Sequence, residues 1–119
     1  MGIQTQTDLL SQPWVGASWE GWVIHQILFS LKARGEPFEA YFLRTNDGYE
    51  LDLVLVFTKG CWAFESKLST APGHEDLKRL NKAADLIGAD QRILISRTLQ
   101  TVRNRSIVSA NLARCLEFL

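Results

Sequence analysis

Residues 49–67 read YELDLVLVFTKGCWAFESK, and they restrict the fold more than any other stretch of the chain. Two runs rich in aliphatic and aromatic residues flank Thr-Lys-Gly, the pattern of two adjacent antiparallel strands. Yet Asp52 lies inside the first run, and Glu65 and Lys67 close the second. Charged side chains are rarely buried in a sheet without partners or a metal. A fold built on this hairpin has to give the three charges a destination.

Register decides whether they share one. Glu65 and Lys67 are two residues apart, so they point to the same face, about 7 Å from each other. With Lys59-Gly60 as a two-residue loop, Thr58 opposes Cys61 and Asp52 opposes Lys67. Asp52, Glu65 and Lys67 then converge on one face. A three-residue loop, Thr58 to Gly60, puts Asp52 opposite Ser66 and sends it to the other side.

The flanking segments read as an α/β frame. In GASWEGWVIHQILFSLKARG, Ser18 is the expected N-cap, Glu20 lies in the first turn and Gly35 is the stop. Val23, Ile24, Ile27, Leu28 and Leu31 make an apolar stripe at helical spacing, and Glu20 falls on that stripe, four residues before Ile24. FEAYFLRT reads as a strand, followed by the turn NDG, and STAPGHED reads as a loop. HEDLKRLNKAADLIG reads as a second helix with Leu77, Leu80, Ala84, Leu86 and Ile87 facing inward. QRILIS is a short strand of the kind buried on both faces. The last stretch reads as a polar loop, a brief strand near Ile107–Val108 and a short C-terminal helix. The order is α-β-β-β-α-β with a small β-α ending: an α/β fold, a mixed central sheet flanked by helices, with the 91–96 strand parallel to the 61–67 strand.

Length and composition narrow the class. A chain of 119 residues is expected to form one domain, with residues 1–13 peripheral to it. No apolar run approaches the ~20 residues that cross a bilayer, and MGIQTQTDLLSQPW lacks the basic and hydrophobic regions of a signal peptide. Cys61 and Cys115 stand alone, which argues against a disulfide or structural zinc and for a reducing, cytoplasmic setting. Residues 1–76 hold five Lys/Arg against ten Asp/Glu, a balance of −5, while residues 77–119 hold eight against three, a balance of +5. An acidic half that binds a cation beside a basic half that meets phosphates suits this asymmetry, as does a solvated surface carrying Arg79, Lys82, Arg92, Arg97, Arg103 and Arg105.

Converging carboxylates repel each other unless one is protonated or a cation sits between them. Asp52, Glu65 and the carbonyl of Ser66 form a donor set for a hard divalent ion such as Mg2+ or Mn2+. Glu20 can bind the same ion or a water attached to it, and Lys67 can stand beside the metal-bound water as a counter-charge to phosphate. Such a site suffices for phosphodiester hydrolysis. The same four residues also fit a set of structural ion pairs, with Lys67 neutralising Asp52 or Glu65 and Glu20 exposed beyond the sheet end. His25 and His74 lack metal-ligand spacing. Trp22 and Trp62 read as packing residues, Trp14 and Trp19 as a contact with a further domain, and Arg44 as a phosphate ligand or a partner of Asp47 or Glu50.

LDLVLVFTKGCWAFESK resembles the signature of the PD-(D/E)XK, or restriction-endonuclease-like, nuclease superfamily: an Asp in one strand, then Glu-x-Lys in the next, often with a Glu on the preceding helix. GASWEGWVIHQIL, YFLRTNDGYELDLVLVF and WAFESKLSTAP are more closely similar to the C-terminal domain of many prokaryotic AAA-type ATPases, which is itself nuclease-like in fold. The resemblance covers residues 14 to 96 and implies Asp52, Glu65 and Lys67 as the nuclease core, with Glu20 as the helix glutamate. Leu51 stands where the superfamily often has proline, and no GxxxxGK[ST] phosphate loop is present. The expected function is Mg2+-dependent hydrolysis of DNA. The alternative is a non-catalytic module that docks onto an ATPase, another protein or nucleic acid.

Overall fold

In the computed structural model, which describes residues 2–5, 19–104 and 106–119, helix α1 spans Trp19–Arg34. Val23, Ile24, Ile27, Leu28 and Leu31 are buried along it, the stripe that helical periodicity picks out. It ends at Gly35, whose φ of 74° is the left-handed conformation that glycine adopts without steric cost. The expected cap Ser18, and Trp14, lie outside the described residues. Trp22 corrects the packing expectation: it is 48% exposed and shares the outer face of α1 with Phe29, 74% exposed.

The sheet has seven strands among the described residues: β1 (Gly2–Thr5), β2 (Phe38–Arg44), β3 (Glu50–Phe57), β4 (Gly60–Ser66), β5 (Gln91–Ile95), β6 (Val102–Asn104) and β7 (Ile107–Ala110). Their order is β1-β2-β3-β4-β5-β7-β6. Strands β1 to β4 are mutually antiparallel, β4 and β5 are parallel as expected, and β7 is parallel to β5. Helix α2 (His74–Asp85) connects β4 to β5, and α3 (Leu112–Phe118) ends the chain. The α/β reading with a mixed sheet between helices therefore holds.

Two cores sandwich this sheet. Leu53, Leu55, Phe64, Ile93, Ile95 and Cys115 pack with α1 on one face. Val54, Ala63, Leu94, Leu80, Ala83 and Ala84 pack with α2 on the other. β5 contributes to both, which is why it reads as an unbroken apolar run. Leu86, expected to face inward, is 47% exposed just beyond the end of α2. Strand β6 lies in what reads as polar loop. All three of its residues are exposed, and it is held by pairing with β7 rather than by burial.

The β3–β4 register differs from both sequence alternatives. Phe57 pairs with Gly60, so Thr58-Lys59 is the loop, and Val56, not Thr58, opposes Cys61. Gly60 reads as a turn residue but lies in the strand. A Cβ built on it would come 2.4 Å from Asp90 Oδ2. That carboxylate accepts the backbone N–H of Cys61 at 2.8 Å. The glycine thus makes room for the Asp90 side chain rather than supplying turn geometry. Gly60→Ala is expected to displace Asp90 and cost about 0.5–1.5 kcal/mol, the loss of its hydrogen bond to Cys61. A urea unfolding midpoint lowered in Gly60→Ala, with Asp90→Ala no longer additive to it, checks this.

Candidate active site

The observed register moves the pairing by two residues from the expected one, and a two-residue shift preserves the face on which a side chain lies. Paired positions between β3 and β4 run from Phe57↔Gly60 to Leu53↔Phe64. The next step along that register sets Asp52 level with Glu65 rather than with Lys67. The carboxylates come together more directly than the sequence reading has them.

A β-bulge lies at the same place. Tyr41 pairs with Val54 and Leu43 with Leu51, so the single residue Phe42 faces both Asp52 and Leu53. A bulge breaks the alternation of side chains and re-aims those beside it. Leu51 accordingly belongs to the α2-side core with Val54, while Leu53 and Leu55 belong to the α1 side. Asp52, released from the regular ladder, turns its carboxylate to β4. Its Oδ2 accepts the backbone N–H of Ser66 at 2.8 Å and the Ser66 hydroxyl at 2.6 Å. Ser66 is buried and satisfied by this carboxylate, a role for its amide and hydroxyl that the sequence reading did not assign.

Glu65 lies against Asp52. Burial, then the charge of Asp52 and a hydrogen bond to it, push the Glu65 carboxyl up to about 10, with Lys67 pulling weakly the other way. Glu65 is therefore a neutral acid at pH 7 in the absence of a cation, hydrogen-bonded to Asp52. Lys67 continues from β4, its backbone N–H donating to the Ile95 carbonyl at 2.8 Å. Its ammonium is 3.7 Å from Asp76 Oδ1, not paired with Asp52 or Glu65 as a simple structural bridge would have it. The other oxygen of Asp76 accepts the Gly73 N–H at 2.9 Å, at the start of α2.

These groups line a polar cleft of about 580 Å³ at the end of the sheet. Glu20 reaches it from the first turn of α1, and Arg79 from α2, its guanidinium donating to the Gly48 carbonyl at 3.2 Å. Glu20 and Asp52 also line a smaller cavity of about 50 Å³, enough for ordered water. The cleft thus gathers Glu20, Asp52, Glu65, Ser66 and Lys67. Among the described residues, however, no three His, Cys, Asp or Glu are grouped so as to hold a metal by side chains alone. Asp76 is a wall residue that the sequence reading missed, and Arg79, read as part of the basic half or of a solvated surface, is another. The one available signal for Asp76 is its position three residues after Gly73, where a carboxylate caps a helix.

The remaining candidates lie apart. His25 and His74 are exposed. Arg44 pairs with Glu50 at 3.6 Å, both exposed. Trp62 packs edge-on to Phe57, ring centroids 5.3 Å apart, and Trp19 packs against the α1-side core. Burial pushes the Cys115 thiol up to about 12, and burial with Asp90 raises that of Cys61, so neither is a thiolate nucleophile. Among the described residues no helix is long and apolar enough to cross a membrane.

Comparison with known proteins places this cleft in a wider context. A family model described as a domain of unknown function, DUF4143, matches residues 15–115. Two uncharacterized mycobacterial proteins, one from Mycobacterium bovis and one from Mycobacterium tuberculosis, are each 35% identical over 72 residues, which is 60% of this chain. The matched stretch spans 15% of the length of either relative. No solved structure matches the chain.

Proposed function

The chain belongs to the DUF4143 family, and from that premise and the cleft we propose a divalent-cation-dependent nuclease domain of PD-(D/E)XK type that hydrolyses DNA phosphodiester bonds. One observation carries the reading: Asp52 and Glu65, from neighbouring strands, press their carboxyl groups together beside a lysine in an open polar cleft. Burying two carboxyls in contact costs stability unless their charge is used.

The donor set suits Mg2+ or Mn2+. Such ions take one or two carboxylates and keep several waters, so three side-chain ligands are not required. Asp52 and Glu65 would hold the ion with the Ser66 carbonyl, and Glu20 would reach it through water. When bound, the cation supplies an activated water and neutralises charge at phosphorus. The protein's own contribution is arrangement. Ser66 holds Asp52 in place with two hydrogen bonds to one carboxylate oxygen. Lys67, oriented by Asp76, offers its ammonium to a phosphate oxygen. The cleft lining holds the carboxylates of Glu20, Glu50, Asp52 and Asp76 and the neutral carboxyl of Glu65, against Lys67 and Arg79. A polyanion therefore needs the cation in place before it can enter.

Calorimetric titration with Mn2+ tests this directly. One site per chain is expected, with protons released on binding as Glu65 ionises, followed by cation-dependent cleavage of plasmid or single-stranded DNA. Absence of binding at millimolar Mn2+ would discard the reading.

A second reading is a docking module that retains the fold without the reaction. The outer face of α1, with Trp22 and Phe29 exposed, favours it, as does the small share of the relatives' length that the match spans. An ATPase domain of a longer polypeptide is the partner this reading points to, and its signature is partner binding indifferent to cation.

A further inference from the structure

Next to the acidic cleft lies a groove of opposite character. It has a volume of about 670 Å³ and runs between the loop after β4 and the loop after β5. Thr70, Thr98, Gln100 and Ser109 give it neutral polar groups, and Leu77 and Leu99 give it apolar ones. Leu99 is 96% exposed. Arg97 is its single charge, and no carboxylate lines it among the described residues. The guanidinium of Arg97 is exposed and engaged by no ion pair among those residues. A lone cation facing solvent beside hydroxyls and an amide, in a wall free of acids, matches an anion that also has an apolar side.

The backbone ties this groove to the cleft. Lys67 donates its N–H to the Ile95 carbonyl, and Arg97 donates its N–H to the Ser69 carbonyl, both at 2.8 Å. The first carries the parallel β4–β5 pairing one step past the strands' ends, and the second joins the two loops beyond it. They hold the segments that carry Lys67 and Arg97 side by side, Lys67 lining the cleft and Arg97 the groove. One cation in each of two adjoining sites suits separate phosphates of one strand.

Resting on the nuclease reading, we propose that the Arg97 groove holds the strand of DNA flanking the scissile bond. Arg97 takes the neighbouring phosphate, and Leu77 and Leu99 pack against sugar and base. The cleft, dominated by carboxylates, positions the reacting phosphate only, and the groove provides the affinity that the cleft lacks.

The test is binding of a short fluorescein-labelled single-stranded oligonucleotide to the full chain in Mn2+, read by anisotropy across a salt series on the Lys67→Ala background, which keeps the cation and leaves the strand intact. Arg97→Gln is expected to weaken binding several-fold and to flatten the slope of log affinity against log salt by about 0.7, the loss of one phosphate contact on a single strand. Lys59→Gln, in the exposed β3–β4 loop at the far end of the sheet, is expected to leave both unchanged. Equal behaviour of the two variants, or no oligonucleotide binding at all, overturns the proposal. The outcomes separate it from the reaction. A wild-type chain that binds through Arg97 and never cuts keeps the groove and loses the hydrolysis. One that cuts while Arg97→Gln binds normally loses the groove alone.

Discussion

Asp52→Asn is expected to lower cation-dependent DNA cleavage by roughly 100- to 1,000-fold, into the background of a plasmid-nicking assay. The substitution is chosen to spare the fold. Its amide oxygen still accepts the Ser66 N–H and hydroxyl that Asp52 now receives at 2.8 and 2.6 Å, so the end of the sheet keeps its hydrogen bonds. What disappears is the negative charge that the cation needs. Lys67→Ala is expected to lose cleavage to a similar degree by a different route. Its Mn2+ affinity stays near that of the wild type, because the ammonium leans on Asp76 at 3.7 Å and not on the carboxyl pair. Calorimetry with Mn2+ separates the two variants: Asp52→Asn loses binding and Lys67→Ala retains it. Full cleavage by clean preparations of both would end the hydrolytic reading.

That such variants can be chosen from sequence reflects how much of the site follows from period and parity. Helical spacing in α1 puts Glu20 on the stripe of Ile24 and Ile27, both buried in the structure. The two-residue period of β4 keeps Glu65 and Lys67 on one face. The hairpin needs only the parity of its register to bring Asp52 alongside, and an error of two residues leaves parity intact. What stayed hidden depends on tertiary contact. Gly60 looks like a turn glycine because nothing in the local sequence announces Asp90, thirty residues later, reaching the Cys61 amide. The bulge opposite Phe42 has no compositional mark either, since Leu51, Leu53 and Val54 are all good strand residues whichever face they take.

The misreadings of Trp22 and β6 have another cause. A helix that is apolar on both sides gives no indication of which side meets the core. α1 is such a helix, with Val23 and Ile24 buried and Trp22 and Phe29 outside. For β6, Val-Arg-Asn carries no alternation because all three residues are exposed at the sheet edge. Its strand character comes from the β7 backbone, which offers pairing partners to Val102, Arg103 and Asn104.

Glu65→Gln is expected to stabilise the cation-free protein at neutral pH and to change how its stability depends on pH. The folded-state carboxyl is raised from 4.5 to about 10, chiefly by burial. Below the lower value the group is protonated in both folded and unfolded chains and has no effect. Between the two values the unfolded chain releases a proton that the folded chain keeps, so stability falls as pH rises, by about 1.4 kcal/mol per pH unit. By pH 7 this amounts to roughly 3 kcal/mol, which glutamine, neutral at every pH, removes. Thermal melts in chelator should therefore nearly coincide at pH 4 and diverge steadily toward pH 9, the variant melting higher. Adding Mn2+ inverts the comparison: the wild type gains stability by binding the ion through an ionised Glu65, while the variant gains little. Parallel pH profiles in chelator would mean that the folded chain does not hold Glu65 protonated. The strained pair from which the cation site is inferred would then be absent.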